Sequence, residues 1–214
     1  MKVGIIGTGE VGRALGSGFT ALSRDVMIGA RDAKNPKARD WAHKAGPRAQ
    51  AGTFADAAKF GEVLVLATLW SGTENAIRLA TPAAFAGKVV LDATNPLVFR
   101  PDAPPTLALG QTDSGGEQVQ RWLPKSRVVK VFNTVGHAHM VNPKFPGGPP
   151  DMFICGNDSG AKELVTAICK DFGWPAIDAG GMESARLLEP LCILWVNYGV
   201  RSGGWDHAFK LLRK

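Results

Sequence analysis

A doubly wound α/β fold with a mostly parallel sheet is the architecture this sequence predicts, and three observations predict it. Short apolar strand patterns alternate with helical patterns along the chain, as in an open sheet covered by helices on both faces. The runs Val63-Leu64-Val65-Leu66 and Val89-Val90-Leu91 are continuously apolar, which suits strands buried on both sides. The chain also opens with a strand that breaks at a glycine-rich turn and runs straight into a helix.

The elements follow in order. Val3–Ile6 is the first strand, and it leads into Gly7-Thr8-Gly9-Glu10-Val11-Gly12, with a helical pattern from near Val11. In a G-x-G-x-x-G turn, Gly7 permits the tight bend, Gly9 lets a pyrophosphate approach the backbone, and Gly12 lets the helix pack on the strand. The helix N-terminus offers unpaired N–H groups and the positive end of its dipole. Glycine also serves ordinary strand–helix turns, but the placement between strand and helix argues for a dinucleotide site. The second strand is Asp25–Gly29, followed by Ala30-Arg31-Asp32. An NAD site ends this strand with Asp or Glu, which binds the ribose hydroxyls and repels a 2′-phosphate. Here Ala30 repels nothing, and Arg31, assisted by Lys34, presents a planar fork suited to a phosphate dianion. The competing assignment puts Asp32 on the ribose and Arg31 in solvent. The pattern favours NADP(H) over NAD.

A helix over Pro36–Lys44, a weak strand at Ala49–Ala51 and a helix over Phe54–Phe60 come next. The strand Glu62–Ala67, a helix near Thr73–Leu79 and the strand Lys88–Ala93 continue the alternation. Leu97 to Asp113 contains Pro101, Pro104 and Pro105 and reads as a long loop over the site. Ser114-Gly115-Gly116-Glu117 is a capping-box pattern opening a helix through Leu123. Arg127–Phe132 is a strand, and Asn142–Pro150 an irregular connection. Asp151–Cys155 and Trp174–Asp178 are strands around a helix over Gly160–Phe172. Met182 to about Val200 is an apolar helix, kinked at Pro190, and Asp206–Leu212 a last amphipathic piece. Residues 1–180 read as a nucleotide-binding domain and 181–214 as a small C-terminal helical extension of the same unit.

With 214 residues, 45% hydrophobic and 21% charged, the chain has ample material for a core. Its net charge of +6 is concentrated around the second strand, in Arg24, Arg31, Lys34, Lys37, Arg39, Lys44 and Arg48. That placement steers phosphate-bearing ligands toward the adenosine end of the site. No nucleic-acid-binding motif accompanies it, so no nucleic acid partner is expected. No stretch approaches the ~20 uncharged apolar residues of a membrane span, and a cytoplasmic protein with no membrane partner is expected. Cys155, Cys169 and Cys192 have no metal or redox spacing and read as small buried hydrophobes.

Ligands in an open α/β sheet lie beyond the carboxyl ends of the strands. Three of those ends carry short side chains: Ala67-Thr68-Leu69-Trp70, Ala93-Thr94-Asn95-Pro96 and Phe132-Asn133-Thr134-Val135. They leave room for the nicotinamide half and can hydrogen-bond its ribose or carboxamide. Asn and Thr are also common in plain strand-end turns. Trp70 either walls the pocket or covers the core. No acid–base set is evident, and hydride transfer to a flavin-like ring needs orientation more than a strong acid. His137 is the candidate proton donor; the alternative is a loop histidine without a chemical role. His137 and His139 have no third ligand nearby, so no metal site is expected.

With these residues placed, the chain resembles the NADP oxidoreductase, coenzyme F420-dependent family, with the N-terminal domain of the STEAP metalloreductases as an outlier. The resemblance is carried by Gly7 to Gly12, Gly29-Ala30-Arg31, Asp92 to Pro96, Ser114 to Glu117, Val129 to Thr134, Asp178-Ala179-Gly180 and Ala185 to Pro190. It implies a compact Rossmann domain, hydride exchange between NADPH and a deazaflavin, and dimerisation. The acceptor is then a small molecule, either coenzyme F420 or a flavin. Imine and hydroxyacid reductases carry a large helical second domain, for which too few residues follow Asp178. An NADP(H) sensor without turnover fits the glycine turn equally well. A homodimer through the C-terminal helix is expected because Leu187, Leu188, Leu191, Ile193, Leu194, Trp195, Val196 and Tyr198 are spread over more than one face. The alternative is a helix fully buried within one chain between the sheet and the proline-rich loops.

Overall fold

The structure is a computed structural model that describes residues 1–101 and 103–214. Its strands are β1 (Lys2–Ile6), β2 (Asp25–Ala30), β3 (Ala49–Thr53), β4 (Val63–Leu66), β5 (Val89–Asp92), β6 (Leu97–Arg100), β7 (Ala103–Leu107), β8 (Arg127–Lys130), β9 (Met152–Gly156) and β10 (Ala176–Asp178). The helices are α1 (Glu10–Ala21), α2 (Pro36–Ala45), α3 (Phe54–Phe60), α4 (Trp70–Leu79), α5 (Gly115–Trp122), α6 (Ser159–Asp171) and α7 (Ala185–Ser202). Eight strands form one sheet in the order β10-β9-β8-β5-β4-β1-β2-β3. The chain winds from β1 outward through β2 to β3, then returns to β4 on the other side of β1. This reversal is the topological switch point where ligand crevices form, and the glycine turn after β1 sits on it. Every pairing in this sheet is parallel except β8 with β9.

Local chemistry explains the helix starts. Asn35 caps α2 by accepting from Ala38 N, with Pro36 at the first helical position. Thr53 and Asp56 form a reciprocal capping box on α3. Ser114 and Asp158 cap α5 and α6 by accepting from Glu117 N and Ala161 N, without the reciprocal bond of a capping box. α1 and α4 differ, because Gly9 and Leu69 supply no side-chain cap. The core lies in two layers on the two faces of the sheet. Val3, Ile5, Leu15, Phe19, Val65 and Phe172 pack in one, and Ile6, Leu64, Leu66, Val90, Val119 and Leu188 in the other.

Two sequence expectations are corrected. Leu97 to Asp113 is not a plain loop: β6 and β7 pair antiparallel, with Leu97 opposite Leu107. Pro104 and Pro105 are tolerated because they fall at the irregular stretch between the Val98–Thr106 and Arg100–Ala103 pairs, where the ladder is interrupted. Asp206–Leu212 forms no helix. Single tertiary bonds hold it instead: Leu211 N donates to Asp151 Oδ2 at 2.7 Å, and Asp151 N to Phe209 O at 2.9 Å. α7 runs unbroken through Pro190. It buries Leu188, Cys192, Trp195 and Val196 but leaves Leu187, Leu194 and Tyr198 exposed, so it is not wholly covered within one chain. Among the described residues, no helix is long and apolar enough to cross a membrane.

Candidate functional site

The glycine turn is shaped by contacts that only glycine allows at two of its three positions. Gly7 has φ +128°, and a Cβ there would meet the Ala67 carbonyl oxygen at 2.2 Å. A Cβ on Gly12 would lie 2.3 Å from Gly7 O, so the first turn of α1 packs directly on the strand end. Gly9 is different: its backbone is ordinary extended chain, and a Cβ would meet nothing within 4 Å. The space above Gly9 is open, and α1 begins there with no side chain accepting from its first amides. Those unpaired N–H groups and the helix dipole make a cradle for a pyrophosphate. Thr8 is half-buried in the turn, with Glu10 and Val11 opening the helix.

Ala30 is buried at the end of β2, and Arg31 and Lys34 are exposed beyond it. The Arg31 guanidinium reaches over the first turn of α4, where a Cβ on Gly72 would be 3.9 Å from Nη2. Asp32 turns to its own backbone, Oδ1 accepting from Lys34 N at 2.9 Å. A free, exposed guanidinium beside an open-ended helix is an arrangement suited to an anion.

On the other side of β1, Ala67 and Thr68 are half-buried, and the Thr68 hydroxyl bonds Thr73 Oγ1 at 2.8 Å. Leu69 is 77% exposed, unusual for a leucine at a strand end. Trp70 stacks on Trp122 with centroids 5.4 Å apart, so it forms a wall backed by α5. Beyond β5 and β8, Asn95 and Asn133 interlock. Asn95 Nδ2 donates to Asn133 O at 2.9 Å, and Asn133 Nδ2 donates to Asn95 Oδ1 at 3.2 Å and Leu188 O at 2.8 Å. Phe132, at φ +58°, makes the sharp bend that precedes Asn133. Pro96 and Thr134 are buried alongside.

His137 stands in a short 3-10 turn, half exposed, with Nε2 3.6 Å from Glu10 Oε2. Glu10 itself pairs with Arg13. A groove of about 660 Å³ between α1 and α2 is lined by Glu10 of the glycine turn and by His137, and by none of the strand-end residues. His139 lies apart, bound to Asp206 at 2.7 Å.

Beneath the strand ends is a charged cluster that sequence reasoning missed. Asp92, Lys130 and Glu189 are fully buried, from β5, β8 and α7. The Lys130 ammonium is 2.9 Å from Asp92 Oδ2 and 3.1 Å from Glu189 Oε1, and donates to Thr94 O at 2.8 Å. The Asp92 contact is close in distance but poorly directed, so charge rather than a well-aligned hydrogen bond holds Oδ2. Glu189 accepts from the first two amides of α5, Gly115 N and Gly116 N, both at 2.9 Å. Burial disfavours charge on Lys130, yet the two carboxylates outweigh it and hold its pKa above the ordinary lysine value. The available signal was a Lys inside an apolar strand run and a Glu inside an apolar helix, since such residues are almost never fully buried unless paired. The three cysteines are buried, and burial pushes each thiol up to about 12, which leaves them unreactive.

Comparison with known proteins follows the same lines. Residues 2–96 match the family model described as NADP oxidoreductase coenzyme F420-dependent. The chain is 32% identical over 94% of its length, and 93% of the other, to the F420-dependent NADP reductase of Methanocaldococcus jannaschii. It is 29% identical to the metalloreductase STEAP3 of Rattus norvegicus, covering 36% of that longer protein. A crystal structure of an Arthrobacter sp. FB24 protein, named for F420-dependent NADP-reductase activity, superposes over both full lengths at 36% identity and a TM-score of 0.93.

Proposed function

The chain belongs to the coenzyme F420-dependent NADP oxidoreductase family, and on that premise we propose that it transfers hydride between NADP(H) and a flavin-like or deazaflavin acceptor. As a member it is an NADP-dependent oxidoreductase. The observation that carries the reading is the open cradle over Gly9, where an uncapped α1 N-terminus faces space a side chain would fill. The fit is good on chemical grounds. The cradle suits the pyrophosphate, Arg31 and Lys34 suit the 2′-phosphate, and the Asn95–Asn133 pair with Trp70 suits the nicotinamide half.

NADPH supplies the hydride, so the protein's task is binding, orientation and exclusion of water. Thr68, Asn95 and Thr134 lie at adjoining strand ends, and exposed Leu69 offers an apolar surface beside Thr68. His137 is the proton donor in this reading. The substitution His137→Gln then lowers turnover about a hundredfold or more, and unchanged turnover removes it from the mechanism. The reading also includes a homodimer through α7, whose exposed Leu187, Leu194 and Tyr198 leave an apolar surface without cover in the single chain.

Stopped-flow oxidation of NADPH against coenzyme F420, FMN, FAD and quinones tests the proposal. Rapid oxidation by the deazaflavin or a flavin supports it. NADPH binding with no oxidation by any acceptor would leave a nucleotide sensor as the better description.

A further inference from the structure

We propose that Lys130 and Glu189 are positioning residues for the nicotinamide side of the site, fixing Thr94-Asn95-Pro96 against α7. The inference rests on the reading of the chain as an NADP(H) oxidoreductase. Its basis is how completely one short segment is held. Thr94 N and Thr94 Oγ1 donate to Asp92 Oδ1 at 2.9 and 2.6 Å, while Thr94 O accepts from Lys130 Nζ at 2.8 Å. Every polar group of Thr94 therefore ends on the buried triad. The next residue, Asn95, is locked to Asn133, and Asn133 donates to Leu188 O, one position before Glu189. Two separate links thus tie the ends of β5 and β8 to a single turn of α7.

The carboxylate also packs against the residues at the strand ends. A Cβ on Gly115 would lie 3.0 Å from Glu189 Oε1, 3.2 Å from the Trp70 ring and 3.3 Å from Pro96 Cδ. Glu189, Trp70, Pro96 and the start of α5 meet at this one glycine. Three charges in a dry site are an inefficient source of stability, since apolar side chains of similar volume often serve as well. Their distinctive contribution is direction. Lys130 is held by one hydrogen bond to Thr94 O and by ion contacts with two carboxylates, and Glu189 by two backbone donors and the ammonium, which together favour one arrangement of the four elements they join. The excess negative charge of the triad faces the positive end of the α5 dipole, which offsets it.

Glu189→Gln tests the proposal, because it leaves Lys130 and Asp92 as a charge-balanced pair and so preserves a route to folding. Thr94→Val is the second variant: it removes one hydroxyl bond and no charge. Dissociation constants are measured for NADPH and for adenosine 2′,5′-bisphosphate, which carries the phosphorylated adenosine half and lacks nicotinamide, and kcat is measured with the best acceptor. In Glu189→Gln, NADPH affinity falls about tenfold and kcat about 10- to 100-fold, as expected for a misplaced reacting group, while bisphosphate affinity stays within about twofold. Thr94→Val shows the same selectivity with a smaller loss. Equal weakening of both ligands, or no change in NADPH affinity and kcat, overturns the positioning role. A wild-type protein that binds NADPH but reduces nothing defeats the hydride-transfer reading, yet the two-ligand comparison still decides the positioning.

Discussion

Gly9 and Gly12 stand three residues apart in one turn, and replacing each with alanine separates ligand space from packing space. At Gly9, φ −71° and ψ −178° suit any residue, and a Cβ touches nothing in the apoprotein. The only cost is a poorer N-cap, about 1 kcal/mol or less. At Gly12, a Cβ would be 2.3 Å from Gly7 O and 3.2 Å from Gly7 C, both backbone atoms that cannot swing away. Overpacking of that kind costs about 1–3 kcal/mol. For a chain of this size each kcal/mol moves the melting temperature by roughly 2–4 °C, so apo Gly12→Ala melts about 2–12 °C lower while apo Gly9→Ala stays within about 4 °C of wild type. Ligand reverses the ranking. NADPH at a hundredfold excess over its Kd stabilises the wild type by about 2.7 kcal/mol, an upward shift of about 5–11 °C. Gly9→Ala loses that shift, because its methyl group occupies the space left for the pyrophosphate. Differential scanning fluorimetry with and without NADPH reads both effects. A Gly9→Ala protein that NADPH stabilises as fully as wild type would refute the pyrophosphate placement.

Other outcomes follow from the same structure. Arg31→Ala weakens NADPH binding by about 1.5–3 kcal/mol, the range for hydrogen bonds to charged groups, and leaves NADH binding nearly unchanged; equal losses in a fluorescence titration would transfer the 2′-phosphate to other residues. The Arg186 guanidinium, with Ser114, holds the Glu117 carboxyl below its ordinary range. The stability this provides is present above the unfolded value, about pH 4.3, and is lost as pH falls through the lower folded value. Urea melts of Glu117→Gln and wild type should therefore differ by a constant amount near neutrality and converge in acid; a gap that widens in acid would contradict the assignment. Light scattering at micromolar concentration gives about twice the 22.7 kDa chain mass if α7 pairs with a second copy, and a mass near 22.7 kDa would show that it does not.

Local chemistry made much of this protein legible in one dimension. Strand β4 is continuously apolar because helices cover both faces of the sheet, and that run is visible without coordinates. Ser114 marks a helix start because a cap bonds within three residues of itself. The glycine turn is equally local: Gly7 and Gly12 answer constraints set by their own strand and helix, apart from the contact with Ala67.

Tertiary structure alone decided the rest. The prolines of β7 look like loop residues, yet they sit in a strand at the point where its ladder is irregular and their missing donors are tolerated. The tail after Gly203 has amphipathic spacing but takes its shape from Asp151, 60 residues away, and from Trp195 on α7. The charged cluster is the clearest case. Asp92, Lys130 and Glu189 are each anomalous in sequence, but a charge reads as solvent-exposed until its partner is known. Those partners lie up to 74 residues apart, at Gly115 and Glu189. Burying a charge is tolerable only when the counter-charge and the hydrogen-bond donors arrive together, and the winding of the sheet is what brings them together.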